Sequence, residues 1–491
     1  MLARLTQSLL AALLLLIWLP AARAELPQPV AELLRAANIP DDALGAIVLR
    51  LPDAVPLLAH GAERSLQPGS TMKLVTMLVA LDRLGPTYRG RSELRSAGEI
   101  NNNVLQGDLV LRGGADPDLG WEAFQGMLQT LRNRGIEIIA GDLLLDRRFF
   151  NPPRPDLGVA PFDEAPEFEY NLIPDALLLN GNLLRFELES DDRQIKVNMM
   201  PALDRVTVAT DMTLIEQDCK DWDKDWLPPE YSKDADGSIR ILLHGKFPKN
   251  CTKSTAINVL DRVDFADRLF RMLWRRLGGK FTGNTRDAAM PAGTRLLAEH
   301  QSRPLPVVVR DINKLSDNAL ARLTYLTLGA VIAGAADGGS ATATLAEQVV
   351  RTWLKEHGID DRGLVLENGS GLSRLERIRP VQLAAVLLAA SRNTLAPEYL
   401  ASLPIVAVDG TMRLRLLDSP AARRARVKTG TLKGVHGVAG FVPDAADRMH
   451  IVVAFLNHEL AGNLVGRAIL DALIDSVARS GAEQAAMRLA P

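Results

Sequence analysis

Apolar positions alternate between two periods along this chain, and the change of period divides it into three. Near the start, Val30, Leu33, Leu34 and Ala37 share one face of a predicted helix over 29–38. The run Gly45-Ala-Ile-Val-Leu-Arg-Leu51 reads as a buried strand, 52–56 as a turn and 57–60 as a second strand. Gly69 precedes the periodic set Leu74, Val75, Leu78, Val79 and Leu81, which stops at Gly85-Pro86, so a helix begins close to Ser70. From about Arg91 to Met290 short β-like runs take over, at 107–112, 141–146, 183–188 and 239–243, between turns rich in Pro, Gly and Asp. One helix, near 263–277, interrupts them. Two of these runs open with Gly-Asp-Leu, a similarity too short to establish a repeat. After Pro291 helical patterns return at 316–333, 341–356 and 380–392. Strands are predicted at 425–432, 435–442 and 450–456, and a closing helix at 462–479. The two terminal thirds form one α/β unit, whose sheet joins two N-terminal and three C-terminal strands, and the middle third is a mostly-β insertion.

Composition narrows the class. A length of 491 residues suggests two to four domains. Lys and Arg number 57 against 59 Asp and Glu, a balance that speaks against a dedicated nucleic-acid binder, and 5% aromatic residues leave little for base stacking. Two cysteines exclude a disulfide-dense scaffold and any multi-cysteine metal or cluster site. Arg4, the apolar run 9–19 and Ala22-Arg23-Ala24 compose a secretory signal cleaved after Ala24. The competing reading, a membrane anchor, needs about 20 apolar residues to cross a core about 30 Å thick. No later segment is apolar enough to span, so the mature chain carries no transmembrane anchor. Export places the protein in the periplasm, where oxidising conditions favour pairing of Cys219 with Cys251.

Three short motifs carry candidate chemistry. Ser70-Thr71-Met72-Lys73 is the chain's one Ser-x-x-Lys, and i, i+3 spacing sets both side chains on one helix face. A serine needs an adjacent base to become a nucleophile, and a lysine serves once burial lowers its pKa. The plain alternative is an N-cap followed by a solvated lysine. Lys428-Thr429-Gly430-Thr431, on a predicted strand, can offer a cation and hydroxyls to a carboxylate, with Gly430 permitting close backbone approach. Ser316-Asp317-Asn318 starts a predicted helix. Ser391-Arg392-Asn393 has the same Ser-x-Asn form, but the central Asp and the order along the chain favour Ser316. The histidines show no His-Glu-x-x-His pair, which argues against a zinc peptidase.

In this order the three motifs resemble the active-site signature of penicillin-binding proteins and class A β-lactamases. Further stretches are similar to the D-alanyl-D-alanine carboxypeptidase/endopeptidase family, the class C low-molecular-mass penicillin-binding proteins: Gly69–Thr76 with Leu84–Tyr88, Asn368–Arg374, Asp409–Arg413 and Lys428–Val435. The roughly 240 residues between Ser70 and Ser316 fit that family's large insertion. The sequence departs from the pattern at Gly69, where many members carry alanine, at Arg322, where an acidic residue is expected, and at Lys433 and His436 in the third-motif hairpin. None of them alters a motif residue, and together they bear on substrate preference near the rim of the site.

The resemblance implies an α/β catalytic domain of the penicillin-recognising serine transferase type, an antiparallel sheet flanked by helices. It would comprise 25–90 and 291–491, with 91–290 as a mostly-β insertion of two subdomains. Ser70 would attack the carbonyl between the terminal D-alanines of a peptidoglycan stem peptide, with Lys73 as base and Ser316 and Asn318 flanking it. Lys428 and Thr429 would hold the terminal carboxylate, and the backbone N–H groups of Ser70 and Thr431 would form the oxyanion hole. Water would release the acyl group, giving D-alanine or a cleaved cross-link, with no cofactor or metal. β-Lactam antibiotics would acylate Ser70. Asp146, closing Gly141-Asp-Leu-Leu-Leu-Asp146 ahead of Phe149, would bind the free amine of a diaminopimelate side chain, its plain alternative being a turn aspartate. A β-lactamase on the same scaffold and a catalytically inactive cell-wall binding protein are the other readings.

Overall fold

The structure, a computed structural model, describes residues 25–333 and 339–482. The signal expected at 1–24 lies outside the described residues. By contact density the chain forms two compact units.

The first unit runs to Pro68 and includes 377–388 and 405 onward. Its core is the expected five-stranded sheet, antiparallel throughout, in the order Arg426–Leu432, Val435–Pro443, Met449–Asn457, Leu44–Arg50, Val55–His60. All nine residues of Val435–Pro443 are buried, which explains why this strand reads as a continuous apolar run rather than an alternating one. The helices Gln28–Ala36 and Asn463–Arg479 pack together, burying Val30 and Leu34 with Ile469, Leu473 and Ile474 against Ala46, Val48 and Ala454 of the sheet. The first two strands of the order close on the two-residue turn Lys433-Gly434, where Gly434 takes φ +71°.

The second unit, 69–376 with 389–404, holds the helices Lys73–Leu84, Leu305–Leu315, Asn318–Leu328 and Thr342–Glu356 together with the β-rich middle of the chain. That middle part is four small sheets. The two Gly-Asp-Leu openings lie side by side: Leu109 pairs in parallel with Leu143, and Asp108 accepts a hydrogen bond from the Asp142 N–H at 2.8 Å. The sequence reading placed one helix in this region, and the structure has a second, Trp121–Asn133. Its buried face, Phe124, Met127, Leu128 and Leu131, has plain helical spacing and packs beside Leu269, Phe270 and Leu273 of the helix Arg262–Arg276. Cys219 and Cys251 are joined in a disulfide. Among the described residues no helix is long and apolar enough to cross a membrane.

Candidate active site

The Ser-x-x-Lys tetrad opens as a 3-10 turn, Gly69–Met72, and the α-helix proper starts at Lys73. Lys73 is fully buried, and its Nζ donates to three acceptors: Ser70 Oγ at 2.9 Å, Asn318 Oδ1 at 2.6 Å and the Ser370 carbonyl at 2.6 Å. Burial pushes the ammonium pKa down to about 7, against the attraction of Asp317 and Glu376 and with the help of Arg322. A neutral amine keeps two N–H groups and one lone pair. With Asn318 and Ser370 taking the N–H groups, the lone pair faces the Ser70 hydroxyl, the arrangement a general base needs.

The second motif departs from the single helix expected over 316–333. A helix missed in the sequence, Leu305–Leu315, precedes it, with Val308, Val309 and Ile312 on its buried face. Ser316 caps that helix in the left-handed region, φ 62°, a conformation that costs a non-glycine residue roughly 1–2 kcal/mol. The next helix begins only at Asn318, after Asp317 caps it by accepting from the Leu320 N–H. The reversal of direction at Ser316 releases Asn318 toward Lys73. The Asn318 amide is held at both ends, because its Nδ2 donates to the Tyr170 carbonyl at 3.0 Å.

The third participant, the loop 367–376, was singled out only as a stretch similar to the family. Glu376 is fully buried and accepts from the backbone N–H groups of Glu367, Asn368, Gly369 and Gly371. Burial raises the Glu376 pKa and these donors oppose the rise. Thr76, one turn beyond Lys73, donates to the Gly369 carbonyl at 2.7 Å. The carboxylate thereby fixes the turn that presents the Ser370 carbonyl to Lys73. The available signal was a glutamate close to a Gly-Ser-Gly stretch, whose N–H groups need an acceptor once buried.

Two of the departures from the family pattern, Arg322 and His436, are buried. Arg322 is buried and donates to the carbonyls of Leu172 and Leu372, each at 3.3 Å. His436 is buried with its Nε2 at 2.8 Å from the Ala461 carbonyl, and its ring fills the space over Gly466. Asp146 ends the strand Leu143–Asp146, where its carboxylate accepts from the backbone N–H groups of Arg148 and Met290.

In the first unit, the third motif forms the edge strand Arg426–Leu432. Lys428 is buried and its Nζ donates to the Thr429 carbonyl at 2.9 Å. The Thr429 hydroxyl lies 2.8 Å from that of Thr411 in the Asp409–Arg413 stretch. Gly430 pairs with Gly437, and Thr431 with His436.

The chain is similar to known proteins along most of its length. The chain is 29% identical over 400 residues to the D-alanyl-D-alanine carboxypeptidase DacB of Haemophilus influenzae, covering 80% of this chain and 81% of that one. It is 26% identical over 483 residues to a D-alanyl-D-alanine carboxypeptidase of an Actinomadura species, covering 94% and 86%. The crystal structure of penicillin binding protein 4 (dacB) from Haemophilus influenzae shares the fold, with a TM-score of 0.74 at 23% identity over 92% of this chain and 99% of that one. With a family model matched across residues 26–480, the chain belongs to the D-Ala-D-Ala carboxypeptidase 3 (S13) family.

Proposed function

We propose that this protein cleaves the terminal D-alanyl-D-alanine bond of peptidoglycan stem peptides through an acyl-enzyme on Ser70. The observation that carries the reading is the buried Lys73, whose Nζ lies 2.9 Å from the Ser70 hydroxyl while Asn318 and Ser370 occupy its other bonds. Lys73 takes the Ser70 proton as Oγ attacks the carbonyl carbon. The resulting oxyanion is held by the backbone N–H groups of Ser70 and Thr431. Ser316 relays the proton from Lys73 to the leaving amine while Asn318 hydrogen-bonds the substrate amide, and D-alanine departs. Water then attacks the ester and regenerates Ser70. Lys428 and Thr429 bind the terminal carboxylate, with Gly430 allowing the substrate backbone close. No cofactor or metal takes part.

The same acylation accounts for a D,D-endopeptidase activity on cross-linked muropeptides and for covalent capture of β-lactam antibiotics. A β-lactam complex is known for the Haemophilus influenzae penicillin binding protein 4, which is 24% identical over 92% of this chain and 98% of that one, with a TM-score of 0.71. Export to the periplasm after cleavage at Ala24 puts the enzyme beside its substrate. The catalytic domain comprises 25–90 and 291–491 around the insertion 91–290, and Asp146 in that insertion receives the amine of a diaminopimelate side chain. Purified muropeptides incubated with the enzyme should lose D-alanine by mass, and cross-linked dimers should be split. Intact muropeptides alongside an enzyme labelled by penicillin at another residue would sink the reading.

A further inference from the structure

Arg322 is a buried cation that the mechanism above leaves unused. It lies one turn along the helix from Asn318, at i+4, and is 8% exposed. Its two terminal nitrogens reach opposite ways. One donates to the carbonyl of Leu172, two residues after the Tyr170 carbonyl that holds the Asn318 amide. The other donates to the carbonyl of Leu372, two residues after the Ser370 carbonyl that holds Lys73. Its Nε is buried with no hydrogen-bond partner. A buried donor left unpaired costs about 1–3 kcal/mol, so stability alone is a poor reason for an arginine here.

We infer that Arg322 is a positioning residue of the acylation step: its guanidinium clamps the two backbone turns that orient Asn318 and Lys73, and places a fixed positive charge near the lysine. The inference rests on the assignment of Lys73 as base. The clamp matters because the Tyr170 carbonyl belongs to a single 3-10 turn, Glu169–Asn171, and the Ser370 carbonyl to an irregular loop, so neither is held by a sheet ladder. The charge matters because the groups facing Lys73 are otherwise anionic: Asp317 at the start of its own helix and Glu376 in the loop. Glu376 and Glu367 are also the anions that act on Arg322. Burial is the main force toward the neutral amine, the two carboxylates oppose it, and the Arg322 cation offsets part of their pull on the Ser70 base.

The test is the pH profile of Ser70 acylation by a fluorescent penicillin, measured from pH 5 to 10 for the wild type, Arg322→Met, Arg322→Gln and Arg322→Lys. Near-ultraviolet circular dichroism reports which variants are folded. Loss of the cation in Arg322→Met and Arg322→Gln should move the midpoint of the rising limb up by about one pH unit, so that acylation falls about tenfold at pH 6 and far less at pH 9. Arg322→Lys should keep the midpoint near the wild-type value and lower the plateau, since an ammonium cannot span both carbonyls. Equal loss at every pH in the folded Met or Gln variant would overturn the inference. So would a midpoint in Arg322→Lys that moves as far as in Arg322→Gln. If Met and Gln do not fold, an unchanged midpoint with a lowered plateau in Arg322→Lys supports it, and an unchanged plateau overturns it. A wild type that is not acylated at Ser70 would instead bring down the assignment of the base.

Discussion

Gly371 lies so close to Gly69 that a Cβ on it would sit 1.9 Å from the Gly69 carbonyl oxygen. Gly69 immediately precedes the nucleophile, and Gly371 follows the residue whose carbonyl holds Lys73. The backbone of the 367–376 loop is thus packed directly on the backbone of the Ser70 turn, with no room for a side chain between them. Gly371 also takes φ +81°, which a side chain disfavours.

Gly371→Ala therefore has no silent solution. Either the Ser70 turn or the Ser370 carbonyl must move by about an ångström, a displacement that costs on the order of 100-fold in a positioned reaction. Penicillin acylation should fall by that order while the circular dichroism spectrum stays native. Wild-type acylation in the variant would show that the loop does not position the site.

Lys73 sets the pH dependence. Its pKa in the folded protein, about 7, lies below the ordinary lysine value of 10.5, so between these values the folded state has released a proton that the unfolded chain keeps. The burial cost is fully present below pH 7, and stability should rise as pH climbs from about 7 toward 10.5. Acylation should rise about tenfold per pH unit below pH 7 and level off above it. Lys73→Arg should lose nearly all acylation at every pH, because a guanidinium stays protonated, and Ser70→Ala should lose the label altogether. Stopped-flow acylation between pH 5 and 9 decides both.

Asp146→Ala separates two roles. If its carboxylate receives the substrate amine, cleavage of amine-bearing muropeptides should slow about tenfold or more relative to penicillin acylation. The side chain also accepts from the Met290 and Arg148 N–H groups, so a purely structural role would lower both reactions together. Parallel rate measurements on the two substrates give the ratio.

Release of a bound penicilloyl group should take minutes or longer. The glutamates between the second and third motifs are Glu347, Glu356, Glu367, Glu376 and Glu398. Glu347 is engaged with Arg351, Glu356 with Arg83 and Glu376 with four backbone N–H groups, while Glu367 flanks Asn368–Arg374, the stretch that resembles the peptidase family rather than a β-lactamase loop. A β-lactamase needs a carboxylate aimed at the deacylating water. Many turnovers per second on penicillin would favour a β-lactamase.

The sequence by itself determined the parts governed by local rules. The period of the apolar residues located the five strands of the first unit's sheet, because four of them are buried along most of their length, and the fifth, the edge strand Val55–His60, is set off by the Pro-rich turn before it. The spacing of Ser70 and Lys73 put both on one face of a helix start, and two cysteines left a single disulfide to form. The tertiary structure decided what depends on chain segments far apart. Nothing near Lys73 in sequence shows that its ammonium is fully buried among Asn318, Ser370 and Ser70, 245 and 297 residues away for the first two. Its lowered pKa is a property of that burial, not of the tetrad. Ser316 is left-handed because it ends one helix, Leu305–Leu315, just before the next begins at Asn318, and the sequence pattern marked only the second of the two. Glu376, Gly371 and Arg322 owe their roles to a close approach of backbone turns, and backbone packing leaves no periodic mark in a sequence.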